Sequence, residues 1–186
     1  MTEVLEKKIT VQEFQEMQFP ETDFFIYELI NGIIMRKAAP QPVHQDISSE
    51  LEFAIELFLK QTPIGKMYHA PIDVFFDNHN RTQPDILFIQ KDREFIIDPK
   101  NGIMGTPDLI IEIISPGSVT MDRVTKKNLY LQFAVKEYWI IDPNNRTVEL
   151  YILKQDQYVI HQFLEIEGSV QSTILVGLEL NISELF

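Results

Sequence analysis

The chain has 186 residues and carries 28 acidic against 16 basic side chains, a formal charge of −12. With 45% hydrophobic and 24% charged residues it has the balance of a folded globule, which excludes a disordered chain or a low-complexity fibre. It contains no cysteine, so disulfides, thiolate chemistry and cysteine-held zinc are excluded, and any metal must sit on oxygen or imidazole ligands.

No apolar run approaches the ~18 residues needed to span a bilayer. The N-terminal Glu3, Glu6, Lys7 and Lys8 are unlike a secretory signal, so a cytoplasmic protein without a membrane partner is expected. Residues 10–18 read as a short helix, with Thr10 as N-cap and Glu13 three positions on. Residues 27–35 read as a hairpin turning on Asn31-Gly32. Helical spacing runs over residues 45–60, where Ile47, Leu51, Ala54, Ile55, Phe58 and Leu59 recur on one side. Strands are expected at 66–76 and 84–90, joined by a polar stretch over 77–81. Residues 91–106 read as loop. The β-branched run from Asp108 to Ile114 suits a strand covered on both faces. A helix over 121–134 follows, then strands at 137–141, 147–153 and 158–164. This order predicts a mixed α/β or α+β domain, a central mixed sheet flanked by helices, in one unit over residues 1–186.

Two acids break the apolar pattern. Glu112 interrupts a run that is otherwise apolar after its first position, and burying an unpaired carboxylate costs several kcal/mol. It therefore needs a metal, a cation or a proton. Strand alternation puts Asp108 on the same face as Glu112. Asp85 opens the apolar strand Asp85-Ile86-Leu87-Phe88-Ile89 behind Pro84. Two carboxylates on neighbouring strands are a typical site for a hard divalent cation, completed by water and substrate phosphate. The plainer readings are a turn-forming Asp85, a loop carboxylate at Asp108, and a lysine ion pair for Glu112. On a helical wheel Lys126 and Lys127 flank the apolar arc of the second helix about equally, so either can lean toward Glu112.

His44 and Glu28 are plausible extra ligands or bases, although spacing alone slightly favours a helix-end polar residue and an exposed strand carboxylate. His69, His79 and His161 have no ligand spacing, and Trp139 reads as a core aromatic on a strand. Isolated Gly102, Gly105 and Gly117 make no phosphate loop, and there is no serine nucleophile elbow.

Several segments taken together resemble the Uma-two family of restriction-endonuclease-like proteins, placed in the PD-(D/E)XK nuclease superfamily. They are residues 27–32, His44-Gln45, Gln83-Pro84-Asp85, the stretch 107–116, Asp122-Arg123 with Lys126, Tyr130, and residues 137–143. The similarity runs in order from about residue 24 to the C-terminus. It implies a core at about 24–143 of helix, three antiparallel strands, helix and a further strand. The strands at about 147–186 would then be an extension. It also implies the metal-binding role for Asp85 and the second acid for Glu112. In the usual pattern a lysine follows that acid by two positions, but here Ile114 stands there. The resemblance instead places a lysine on the next helix and favours Lys126, with His44 and Glu28 lining the cleft.

The function so implied is a Mg²⁺-dependent endonuclease, with Mn²⁺ able to substitute, that hydrolyses phosphodiesters in DNA and acts as a cytoplasmic homodimer. The charge of −12 counts against holding nucleic acid by surface charge alone, though a bound cation can serve an acidic body. The alternatives are an inactive nuclease-fold binding or assembly module, and a phosphoesterase acting on RNA or nucleotides.

Overall fold

The computed structural model describes residues 8–20 and 25–186; Glu3, Glu6 and Lys7 lie outside the described residues. Helix α1 (Val11–Glu16) starts from a capping box, in which the Thr10 hydroxyl accepts from Glu13 N and the Glu13 carboxylate accepts from Thr10 N. Strands β1 (Phe25–Ile30) and β2 (Ile33–Ala38) turn through Asn31 and Gly32, whose φ values are 53° and 76°. A side chain at Gly32 would be strained by that φ, and its Cβ would lie 2.6 Å from Lys8 Cβ.

Helix α2 (Pro42–Gln61) begins with proline in its first turn and buries Ile47, Leu51 and Ile55 at helical spacing. Then come β3 (Gly65–His69), β4 (Val74–Asp77), β5 (Asn80–Thr82) and β6 (Ile86–Gln90). A 3₁₀ turn (Lys91–Ile96) leads to the short β7 (Ile97–Asp98) and β8 (Gly102–Met104). After β9 (Leu109–Ile113), a π-helical turn (Met121–Lys126) runs into α3 (Lys127–Gln132). Strands β10 (Glu137–Asp142), β11 (Thr147–Lys154) and β12 (Gln157–Glu165) follow.

Among the described residues the strands form two six-stranded mixed sheets, ordered β12-β11-β10-β9-β6-β3 and β2-β1-β5-β4-β8-β7. In the first, β3, β6 and β9 are antiparallel neighbours and β10 runs parallel to β9. The parallel step matches the crossover through the π turn and α3, since parallel neighbours need a long connection. Strand alternation then divides the interior. Leu109, Ile111 and Ile113 pack with Ile47, Leu51 and Ile55 of α2, whereas Ile110 and Ile114 face Ile30, Leu129, Tyr130 and Tyr138 on the opposite side. Glu112 shares the parity of Ile110 and Ile114. The C-terminal segment joins the α2 side, contributing Val170, Leu175, Leu178, Leu180, Ile182 and Leu185.

Three expectations change. The strand expected over 66–76 divides: β3 pairs with β6 in one sheet, while β4 belongs to the other. Pro71 lies between them and has no N–H for a ladder bond. Residues 91–106 are not simple loop. They hold the 3₁₀ turn and β7–β8, tied by backbone bonds such as Ile103 N to Asp73 O at 2.8 Å, which side-chain patterning does not display. The helix expected over 121–134 starts as a π turn and ends at Gln132. Its stop is a Schellman arrangement: Ala134 N donates to Leu131 O and Val135 N to Tyr130 O, with Ala134 at φ 56°. Alanine at a position that favours glycine hid this end.

Candidate active site

The β6–β9 register pairs Ile86 with Ile111 and Leu87 with Ile110. Continued by one residue, it sets Asp85 opposite Glu112, so both carboxylates project from the same face of adjacent strands. Asp85 Oδ2 accepts the backbone N–H of Ile113 at 2.7 Å and lies 3.0 Å from His44 Nε2. His44 stands in the first turn of α2 and reaches round the start of β6. With an ionised Asp85 accepting, Nε2 carries the proton and Nδ1 has no partner among the described residues.

Glu112 Oε1 receives two donors from the helical layer, Lys126 Nζ at 2.9 Å and the Tyr130 hydroxyl at 2.7 Å. Lys126 also lies 2.9 Å from Glu28 Oε1, which accepts the Gln83 backbone N–H at 2.8 Å. Lysine at 126 and tyrosine at 130 are four residues apart, so the π turn and α3 present both to one acid. Lys127 instead lies over the Tyr151 ring at 3.5 Å. Packing therefore decides between the two lysines that wheel geometry left equivalent, and it selects Lys126.

Lys37, at the penultimate position of β2, was not foreseen. Its Nζ lies 3.0 Å from Asp85 Oδ1 and 3.5 Å from Glu112 Oε2, bridging the two acids. A signal for it existed in the hairpin: pairing across Asn31-Gly32 sets Lys37 opposite Ile26, which shares the face of Glu28. Ile114 is buried among apolar neighbours, so both ammonium groups come from other elements. Asp122 was also missed as a buried member. Its Oδ2 accepts from the Ser118 hydroxyl, and it is fully buried one helical turn before Lys126.

Two expectations need correction. Glu28 is not an exposed strand carboxylate; it is 1% exposed and ion-paired. Asp108 is buried but outside the cluster, because it lies at the far end of β9. There it pairs with Arg93 at 2.7 Å and Lys136 at 2.8 Å and accepts Gln90 N at 2.9 Å. Same-face parity was correct in principle, but Asp108 lies four positions along the strand from Glu112.

Four buried carboxylates, those of Glu28, Asp85, Glu112 and Asp122, thus face two buried ammonium groups, Lys37 and Lys126. Among the described residues two negative charges are left over, and the acids divide the strain unequally. Burial works against ionised Asp85, but Lys37 and His44 outweigh it and hold Asp85 below the usual carboxylate range. Burial pushes Glu112 up to about 7 despite the attraction of Lys126 and Lys37. Burial also raises Asp122, with Lys126 opposing. For Lys126, burial favours the neutral form, but Glu112 and Glu28 outweigh it and keep the ammonium charged. Glu28 Oε2 and Asp122 Oδ1 have no hydrogen-bond partner among the described residues.

Among the described residues no three acidic or imidazole side chains gather closely enough to form a metal cage unaided. Two carboxylates around one cation-sized position, in a cluster short of two positive charges, nevertheless suit a hard divalent ion that keeps water and substrate ligands. A cleft of about 270 Å³, lined by His44, Ser48, His69, Gln83, Asp85 and Lys37, leads to this position.

The chain matches the Uma2 family, described as "Putative restriction endonuclease", over residues 11–183. Among solved structures it is similar to a putative nuclease belonging to DUF820 from Anabaena variabilis ATCC 29413. That match has 29% identity and a TM-score of 0.75, and covers 96% of this chain and 97% of the other. A looser match, with 13% identity and a TM-score of 0.42, is to the type IIG restriction endonuclease BpuSI; it covers 76% of this chain and 15% of that one. No curated protein matches. The α+β architecture is restriction-endonuclease-like, and with a match spanning nearly its whole described length the chain belongs to the Uma2 family.

Proposed function

We propose that this protein is a divalent-metal-dependent nuclease that hydrolyses phosphodiester bonds in DNA. The observation that carries the reading is the meeting of Asp85 and Glu112, from adjacent strands, in a buried cluster with Lys126 at 2.9 Å. The similarity over 96% of the chain to a protein described as a "putative nuclease" supports it.

Asp85 and Glu112 would hold the metal, here Mg²⁺ or Mn²⁺. When bound, such an ion polarises the scissile phosphate and lowers the pKa of its water. The protein supplies the rest. His44 and the Ile113 N–H fix the Asp85 carboxylate, and Tyr130 fixes Glu112. Lys126 presents a permanent positive charge where negative charge gathers on phosphate oxygens during displacement. Its two carboxylate partners keep it protonated and still. The absence of lysine at Ile114 therefore does not leave the site without an ammonium group.

The test is incubation of purified protein with plasmid DNA, single-stranded DNA and RNA in Mg²⁺, Mn²⁺ or EDTA. Metal-stimulated cleavage of DNA is expected, with a loss of about 10²-fold or more in Asp85→Asn and Glu112→Gln. Cleavage that persists equally in either variant removes that acid from the chemistry. Cleavage confined to RNA overturns the substrate assignment.

A further inference from the structure

Lys37 differs from Lys126 in how firmly it is held. Lys126 is wholly buried and sits 2.9 Å from each of two carboxylates. Lys37 is 5% exposed and contacts Asp85 at 3.0 Å and Glu112 at a looser 3.5 Å. It projects from β2, the edge strand of its sheet, one residue before that strand ends. It also lines two separate cavities. One is the cleft of about 270 Å³ beside His44 and Asp85; the other, of about 200 Å³, is bounded by Arg36, Ser115, Ser118 and Met121. The residue thus borders open space on two sides, and its ammonium sits at the position shared by the two carboxylates proposed to hold the metal.

We propose that Lys37 is an internal counter-ion that joins Asp85 to Glu112 in the metal-free protein and is displaced toward one of these cavities when a divalent cation binds. This rests on the metal-dependent reading of the site. The physical basis is competition. Two carboxylates facing each other without a cation repel, and a single charge in a chain-tethered ammonium neutralises them only partly. A free divalent ion offers twice the charge at the same place, at the cost of moving one long side chain into space that already exists. The arrangement keeps the acids preorganised without metal and makes metal affinity depend on a residue that need not touch the metal.

Two measurements test it. Calorimetry with MnCl₂ should show Lys37→Met and Lys37→Gln binding Mn²⁺ about tenfold tighter or more than the wild type, because the competitor is gone. Their melting temperature in EDTA should be lower and their stabilisation by Mn²⁺ larger. On the unaltered protein, acetylation by a water-soluble succinimidyl ester, read by mass spectrometry, should find Lys37 protected in EDTA and several-fold more reactive in Mn²⁺, with Lys126 protected in both. Unchanged or weaker Mn²⁺ affinity in both variants, or Mn²⁺ binding with no rise in Lys37 labelling, overturns the displacement while leaving the nuclease reading in place. No Mn²⁺ binding by the wild type or either variant overturns both.

Discussion

At the scale of single residues the site is governed by an imbalance of charge in an almost wholly buried cluster. Lys126 is the residue with most at stake, because it is paired with Glu28 and is the nearer of the two ammonium groups on Glu112. Lys126→Met is expected to cost about 3–5 kcal/mol in denaturant unfolding, the range for breaking a buried ion pair by deleting one partner. Adding Glu112→Gln to that variant should recover part of the loss. An additive double mutant would mean that the two side chains are not coupled.

The raised pKa of Glu112 sets a pH dependence of definite sign. Its folded value of about 7 lies above the ordinary 4.5, so the folded state binds an extra proton between them. Unfolding free energy therefore falls as pH rises through that window, with Asp122 acting in the same sense. Asp85 works oppositely, but its stabilisation is complete above the ordinary 3.8 and lost only below it. In EDTA the protein should be more stable near the acid end of the window, by on the order of 3 kcal/mol. Chemical denaturation at several pH values measures this, and Glu112→Gln should remove most of the slope.

At the scale of elements, the site is assembled by register. The β6–β9 ladder sets Asp85 opposite Glu112, and the β1–β2 hairpin puts Lys37 on the face of Glu28. The hairpin register depends on a turn with positive φ at Gly32 and no room for a Cβ. Gly32→Ala is expected to destabilise by about 1–2 kcal/mol, read as a lowered melting temperature. The residues of these elements were legible in advance to different degrees. Asn31-Gly32, the β-branched run around Glu112 and the period of α2 are local signals, and each element formed where its signal lay. The split of residues 66–76 between two sheets and the π turn before α3 were not legible. Each depends on which backbone groups find partners across the fold.

At the scale of the molecule, two sheets, α2 and the C-terminal segment enclose apolar layers on both sides of the β9 strand. The residues after β12 are part of that enclosure, since Leu175, Ile182 and Leu180 are almost wholly buried. Removing residues 167–186 should expose this face and leave a protein without cooperative melting in calorimetry, rather than a trimmed but active one. Net charge operates at the same scale. With −12 on the whole chain, DNA binding in EDTA should not strengthen as salt is lowered, in contrast to the steep salt dependence of a basic binder. Fluorescence anisotropy across a salt series checks this, and a steep increase at low salt would point to a basic surface that works without metal.

Composition and local pattern determined the order of helices and strands outside residues 66–106, the absence of thiol chemistry, and the two acids that an apolar sheet cannot hold alone. Those features follow from periodicity and from the cost of burying charge, which act within a few residues. Tertiary structure decided which cations answer the acids. Lys126 rather than Lys127, the unforeseen Lys37, and the removal of Asp108 to another ion pair are outcomes of packing between elements distant in the chain. An ammonium group finds its partner through space, and the sheet register and helix placement that bring them within 3–4 Å exist only once the whole chain has folded.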